Sequence, residues 1–181
     1  MNVFYLHHDP KICARQHVDR HVVKMIVEYA QLLSTAHRLL DGKEVSVLSK
    51  SGRRRTAWQL PDGRDDVLYK ATHMNHPSAK WVRDRSANYR WLAKLWAECL
   101  KEYTFRYGKV HSCERLAPFL SKPPTNIKRG AFAPPWRAMP DEYKVSKDVE
   151  DYAIKSYRAY YNGAKTRLFS WKRRGKPAWA K

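Results

Sequence analysis

The chain has 181 residues, 43% of them hydrophobic, and 36 Lys and Arg against 17 Asp and Glu, a formal net charge of +19. This length suits one domain with a real core; no apolar run approaches the ~18 residues of a membrane span, and the start MNVFYLHHDP lacks the basic region and long apolar stretch of a signal peptide. The reading is a cytoplasmic protein whose charge implies an anionic partner, DNA or RNA first and incidental polyanions second. Seven Trp and eleven Tyr accompany that charge, and aromatics beside Arg and Lys suit stacking on bases that have left the duplex. Cys13, Cys99 and Cys113 are far apart with no CxxC, which reads as reduced, mostly buried thiols rather than a disulfide framework or a thiolate zinc site.

In chain order, VFYL at 3–6 is a short apolar start. In HHDP, Asp9 is placed to cap a helix with Pro10 at its first position. The periodicity predicts a first long helix from Lys11 to Leu40, closed by Asp41-Gly42. Residues 43–75 form a basic loop region with SGRRRTAW and PDGRDD, holding a short hairpin or ordering only on binding. Pro77 opens a second long helix, Ser78 to Tyr107, ended by Gly108, and a short helix follows over 112–120. KPPTNIKRGAFAPPWRAMP, 122–140, carries five prolines and reads as an extended strap across the surface. Asp141 to Tyr161 is the last main helix, closed by Asn162-Gly163, and 164–181 is a basic aromatic tail. The fold class is therefore mostly α: one compact helical domain over 1–181, with a long central N-terminal helix, long basic loops and a Pro-rich strap. No repeat is present.

The first helix carries the chemistry. At about 100° per residue, His17, His21, Lys24, Glu28, Gln31 and Thr35 fall in one narrow sector, flanked by Arg20 and Arg38. Val18, Val22, Met25, Ile26, Tyr29, Leu33, Ala36 and Leu40 take the opposing side. A helix buried over most of its girth would present such a line along the floor of a cleft; an ordinary exposed edge with a Lys24–Glu28 pair is the plainer reading, worth only ~0.2–0.5 kcal/mol. Lys24, if desolvated beside Arg20, His17 and His21, is an amine nucleophile, with Glu28 one turn away to move protons and His21 beside it. His17-xxx-His21 has metal-ligand spacing, but it would need Glu28, His7, His73 or His76 as a third ligand; the expectation is no metal and no cofactor.

Elsewhere, Trp81, Leu92, Leu95, Trp96, Cys99 and Tyr103 share a core face of the second helix. Arg85 and Asn88 interrupt it, pointing into the same cleft or marking where the core stops. Arg83, Arg90, Lys94 and Lys101 lie on the reverse side as a solvated face or a phosphate-contacting ridge. His73 and His76, in THMNHP, sit just before a helix start, where backbone N–H groups favour a phosphate or the histidines simply cap the helix. Arg53, Arg54 and Arg55 make a phosphate clamp or a solvated loop.

Three segments carry a family resemblance. Ala14, Gln16, His17 and Val18, then Trp91 to Lys101 with AECLK, then SWKRRGKPAWA resemble, in that order, the phage pyrimidine-dimer DNA glycosylases (the endonuclease V-like enzymes); the chain also looks like small proteins of tailed phages. The resemblance implies a compact helical fold crossed by the first helix. It also implies base excision by an N-terminal α-amine aided by a helix Glu, with strand cleavage by β-elimination. The family's Glu falls on Lys24, and the next acid is Glu28. The family exposes a Thr amine after losing Met, whereas Asn2 here is too large for routine Met removal, so the amine is that of Met1 or the task has moved to Lys24. Gln16 and His17 match the family's DNA-contacting positions directly, and Trp171, Lys172, Arg173 and Arg174 stand in its closing signature.

The expectation is a DNA-binding enzyme of the glycosylase or lyase type, acting on double-stranded DNA through a flipped damaged or modified base, monomeric, in repair or modification of DNA. The alternatives are a non-catalytic phage DNA- or RNA-binding protein and a transferase that modifies phage DNA bases.

Overall fold

The computed structural model describes residues 1–49 and 51–181, and the apolar start is threaded through the core. Val3, Phe4, Tyr5 and Leu6 are all buried, in an extended segment that belongs to no sheet. Its backbone groups are satisfied by side chains instead. Phe4 N–H donates to Tyr29 Oη (3.3 Å) and Leu6 N–H to Cys13 Sγ (3.4 Å), while the Leu6 carbonyl accepts from Arg158 Nε (3.0 Å). Asp9 caps the first helix as the sequence predicts, its Oδ1 accepting from Lys11 N (2.7 Å) and Ile12 N (3.0 Å), with Pro10 in the first turn.

The expected single helix from Lys11 to Leu40 is two: α1 (Pro10–Gln16) and α2 (Asp19–Asp41), broken by extended backbone at His17 and Val18. The cause is competition for three carbonyls. Arg106 donates to the carbonyls of Arg15 and His17 (2.9 Å each), and Trp171 Nε1 donates to that of Gln16 (3.0 Å). A continuous helix needs those same carbonyls for the N–H groups one turn on; Asp19 N–H instead bonds the Ser170 carbonyl (2.9 Å).

Strands β1 (Lys43–Leu48) and β2 (Arg54–Gln59) pair antiparallel, with Lys43 opposite Gln59 and Leu48 opposite Arg54, so the basic loop region does hold a hairpin. After the short α3 (Arg64–Val67), the chain returns along α2. Arg38, wholly buried, fixes that return by donating to the carbonyls of Trp58 (2.8 Å), Leu68 (2.9 Å) and Tyr69 (2.6 Å) and to Asp65 Oδ1 (2.5 Å).

The second long helix is also divided, into α4 (Pro77–Asp84) and α5 (Ser86–Tyr107), with Arg85 extended between them. Here the strap intrudes. Ser86 N–H bonds the Lys128 carbonyl (2.8 Å), and Asn88 spans the break by donating to the Trp81 carbonyl (3.0 Å) and accepting from Ala133 N–H (3.0 Å). α5 packs on both α1 and α2 and ends at Gly108, whose φ of +67° suits glycine. A 3₁₀ turn (Ser112–Leu116) and α6 (Ala117–Leu120) lead into the coiled strap. The last helix, α7 (Tyr152–Ala164), starts at Tyr152 and not at Asp141; Asp141–Tyr143 is a separate 3₁₀ turn that lays the Tyr143 ring against Gly163, where a Cβ would lie 2.3 Å from Tyr143 Cε1. The result is compact and mostly helical. Cys13, Cys99 and Cys113 are buried and unbridged, and among the described residues no helix is long and apolar enough to cross a membrane.

Candidate functional site

The helix break redistributes the predicted stripe. His17 does not face a cleft: it is completely buried at the break, and its ring is held at both nitrogens. Nδ1 lies 2.7 Å from the Cys13 carbonyl and therefore carries the hydrogen, while Nε2 accepts from Tyr29 Oη (2.8 Å). Burial pushes its pKa down to about 4. His21 is likewise internal, stacked on Phe4 with ring centroids 4.4 Å apart, and its Nδ1 lies 2.6 Å from Tyr161 Oη. Burial first, then the neighbouring His17, Lys165 and Lys24, push it down to about 3. Both imidazoles are thus neutral structural groups at pH 7. Thr35 is buried and pairs with the Thr72 backbone, and Arg38 is buried as described. The C-terminal half of the stripe is therefore covered by the returning chain, which sequence periodicity could not foresee.

What remains is a smaller cluster. Glu28, on α2 and mostly buried, sits between two amines: its Oε2 is 3.7 Å from the α-amine of Met1 and its Oε1 is 3.2 Å from Lys24 Nζ. The burial expected of Lys24 is missing, since its side chain is 66% exposed and one turn from its partner. The Met1 side chain is nearly enclosed, because the threaded segment Val3–Leu6 fixes the residues before it. His76 belongs to the same neighbourhood: burial lowers its pKa, the α-amine and His73 lower it further, and Glu28 opposes them. Its Nδ1 accepts from Ser78 N–H (3.1 Å), so it caps α4. His73 is exposed. Three of the four expected catalytic residues, Met1, Lys24 and Glu28, are brought together; His21 is withdrawn into the core.

The expected DNA contacts divide similarly. Asn88 is completely buried with both amide ends used, so it does not face a cleft. Arg85 pairs with its neighbour Asp84 (2.7 Å). Gln16 is half-buried, its side-chain oxygen accepting from Trp179 Nε1 (3.0 Å). Trp171 is buried against the α1–α2 break, and Arg174 grips Glu102 with two bonds (2.9 and 2.8 Å). Lys172 takes Asp19 through its backbone N–H, and Arg173 donates to the Phe105 carbonyl (3.0 Å). The tail thus seals the helix junction, while the side chains of Lys172 and Arg173 stay exposed beside it. Arg20 is exposed. Arg53, Arg54 and Arg55 are exposed on the hairpin, but the expected three-way clamp is split, because Arg54 and Arg55 are successive strand residues and point to opposite faces.

None of the five described cavities is lined by Met1, Lys24 or Glu28, and two of them matter below. One, of about 320 Å³, is lined by the hairpin and by Asp65, Lys70 and Ala71; the other, of about 380 Å³, lies along the strap beside Trp136. Trp136 was not singled out in the sequence, although its place after two prolines in a strap was the available signal. Among the described residues no group of three His, Cys, Asp or Glu is arranged to hold a metal ion. A scan against protein-family models returns no match, and neither curated proteins nor solved structures give a significant one.

Proposed function

We propose that this chain is a DNA-processing enzyme of the glycosylase or lyase type, working through an amine and the Glu28 carboxylate. The observation that carries this reading is the placement of Glu28 between the Met1 α-amine and Lys24, at 3.7 and 3.2 Å. An amine must shed its proton before it attacks carbon, and a carboxylate in contact with it is the nearest acceptor. The free amine adds to C1′ of a flipped nucleotide as the bond to the base breaks, and the base leaves with a proton. Opening of the sugar ring gives a protonated imine. Glu28 then takes a C2′ proton, the 3′ phosphate leaves, and water releases the amine. The resemblance to the endonuclease V-like glycosylases supports the same chemistry, with Glu28 taking the part that the family's alignment puts on Lys24.

The test uses a duplex with one abasic site, with strand cleavage read on a denaturing gel and affinity by fluorescence anisotropy. Glu28→Gln is expected to lower turnover by ~10²–10⁴-fold, the usual contribution of a positioned acid–base group, with Kd changed by less than about twofold. Full turnover in both Glu28→Gln and Lys24→Ala would remove this reading. The exposure of Lys24 and of Arg53, Arg54 and Arg55 favours a second one, a non-catalytic DNA-binding protein, which would yield no product and tolerate Glu28→Gln.

A further inference from the structure

We infer that the cavity along the strap seats an unpaired DNA base and its phosphate, with Trp136 as the stacking surface; this rests on the DNA reading above. Trp136 is 46% exposed and is the one Trp among the eight exposed large apolar side chains of the described residues. The backbone beneath it is rigidly docked. Pro135 and Met139 are buried on either side, the Trp136 carbonyl accepts from Tyr157 Oη (3.1 Å), and the Ala138 carbonyl accepts from Asn2 Nδ2 (2.8 Å). A ring displayed from a fixed backbone loses little freedom on stacking, which is what a base platform requires.

The surroundings of the ring carry positive charge. The cavity of about 380 Å³, within the usual range for small ligands, is lined by Trp136, Tyr152, Pro135, Arg137, Lys144 and Lys147. Arg137 stacks over Tyr152 (4.9 Å to the ring centroid), its hydrogen bonds go to the neutral Val145 carbonyl and Ser156 Oγ, and the nearby acid, Asp141, feels its charge without bonding to it. Among the described residues Lys147 has no acidic partner, and Lys144 shares its charge only with the exposed Asp141 (2.6 Å). Aromatic faces for a base and three cations, Arg137, Lys144 and Lys147, against one exposed carboxylate, Asp141, point to a nucleotide that has left its duplex. The seat is also tied to the proposed reaction site, because Tyr157 Oη bonds Asn2 Oδ1 (2.9 Å) as well as the Trp136 carbonyl, and Asn2 follows Met1. The link is a buried hydrogen-bond path between the two backbones, and neither Met1 nor Glu28 lines the cavity.

The test compares anisotropy titrations of a labelled 12-nucleotide oligodeoxythymidylate and a fully paired duplex of equal length, at one salt concentration. Trp136→Ala is expected to weaken the single strand by roughly 5- to 150-fold, the range of one stacked base, and the duplex by less than about twofold. Trp136→Tyr should restore most of the loss, and Lys147→Ala should weaken the single strand and lower its salt slope by roughly 0.7. Unchanged single-strand affinity in Trp136→Ala, or an equal loss on both probes, would overturn the inference. Circular dichroism of each variant confirms the fold. The readout needs no turnover. A Trp136 effect in a protein without chemistry therefore sinks the enzyme reading alone, and normal chemistry with no Trp136 effect sinks this one alone.

Discussion

Three buried imidazoles make the protein sensitive to acid at the scale of single residues. Burial is the main force pushing His17 and His37 down to about 4 and His21 down to about 3. His17 accepts from Tyr29 and His37 Nδ1 from Arg64 Nη1 (3.0 Å), both of which require a neutral ring, and His21 is stacked on Phe4 beside Tyr161. In the unfolded chain the same groups titrate near ~6.5. As pH falls from about 6.5 toward 4, the unfolded state binds protons that the folded state refuses, so stability falls, by up to about 1.4 kcal/mol per pH unit for each group. The lowered carboxylates, with Asp65 at about 2, act in the same direction but only below the ordinary Asp range, once protonation begins in the unfolded chain. Urea midpoints at pH 7.5, 6 and 5 should therefore drop steadily, and His21→Phe should drop less steeply over the same interval. A flat profile between pH 7 and 5 would contradict the neutral, buried assignment.

At the scale of elements, two arginines hold together pieces that their own sequences leave separate. Arg38 locks the hairpin and the returning chain to α2, and Arg106 grips Arg15, His17, Asp19 and Glu102 across the α1–α2 break. Removing one partner of such a buried ionic cluster strands the others, so Arg38→Ala is expected to cost ~3–5 kcal/mol in urea unfolding. Arg38→Lys should recover little, since an ammonium cannot reproduce the fork; a loss below about 1 kcal/mol in Arg38→Ala would mean the cluster is not what fixes the hairpin.

These clusters also explain how far the sequence could be read. The Asp9 cap, the end at Gly108, the strap and the apolar face of α2 follow from local chemistry and were legible. The breaks at His17–Val18 and Arg85 were not. Neither contains Pro or Gly, and both exist because distant groups (Arg106 and Trp171 in one case, the strap carbonyl of Lys128 in the other) take backbone partners from the helix. The late start of α7 was not legible either; the turn before it packs Tyr143 on Gly163.

Across the whole molecule, the excess of base over acid becomes sharper on folding. Asp19, Asp41, Asp65 and Glu102 are all engaged with arginines in partly or fully buried pairs, while the hairpin arginines and the strap lysines remain outside. The surplus of positive charge was legible from composition; the anionic partner belongs to the proposal. The candidate site was legible only in part. Helical spacing brought Lys24 and Glu28 together, but the approach of Met1 depends on threading Val3–Leu6 through the core, a tertiary event with no local signature beyond four apolar residues.

The central claim is that an amine paired with Glu28 bonds to DNA. Borohydride reduction of the protein with an abasic-site duplex tests it most directly: the account predicts a one-to-one covalent adduct that maps, after digestion, to the peptide bearing Met1 or to the one bearing Lys24. No adduct when the DNA is fully bound, or an adduct that survives both Lys24→Ala and chemical blocking of the α-amine, would contradict it.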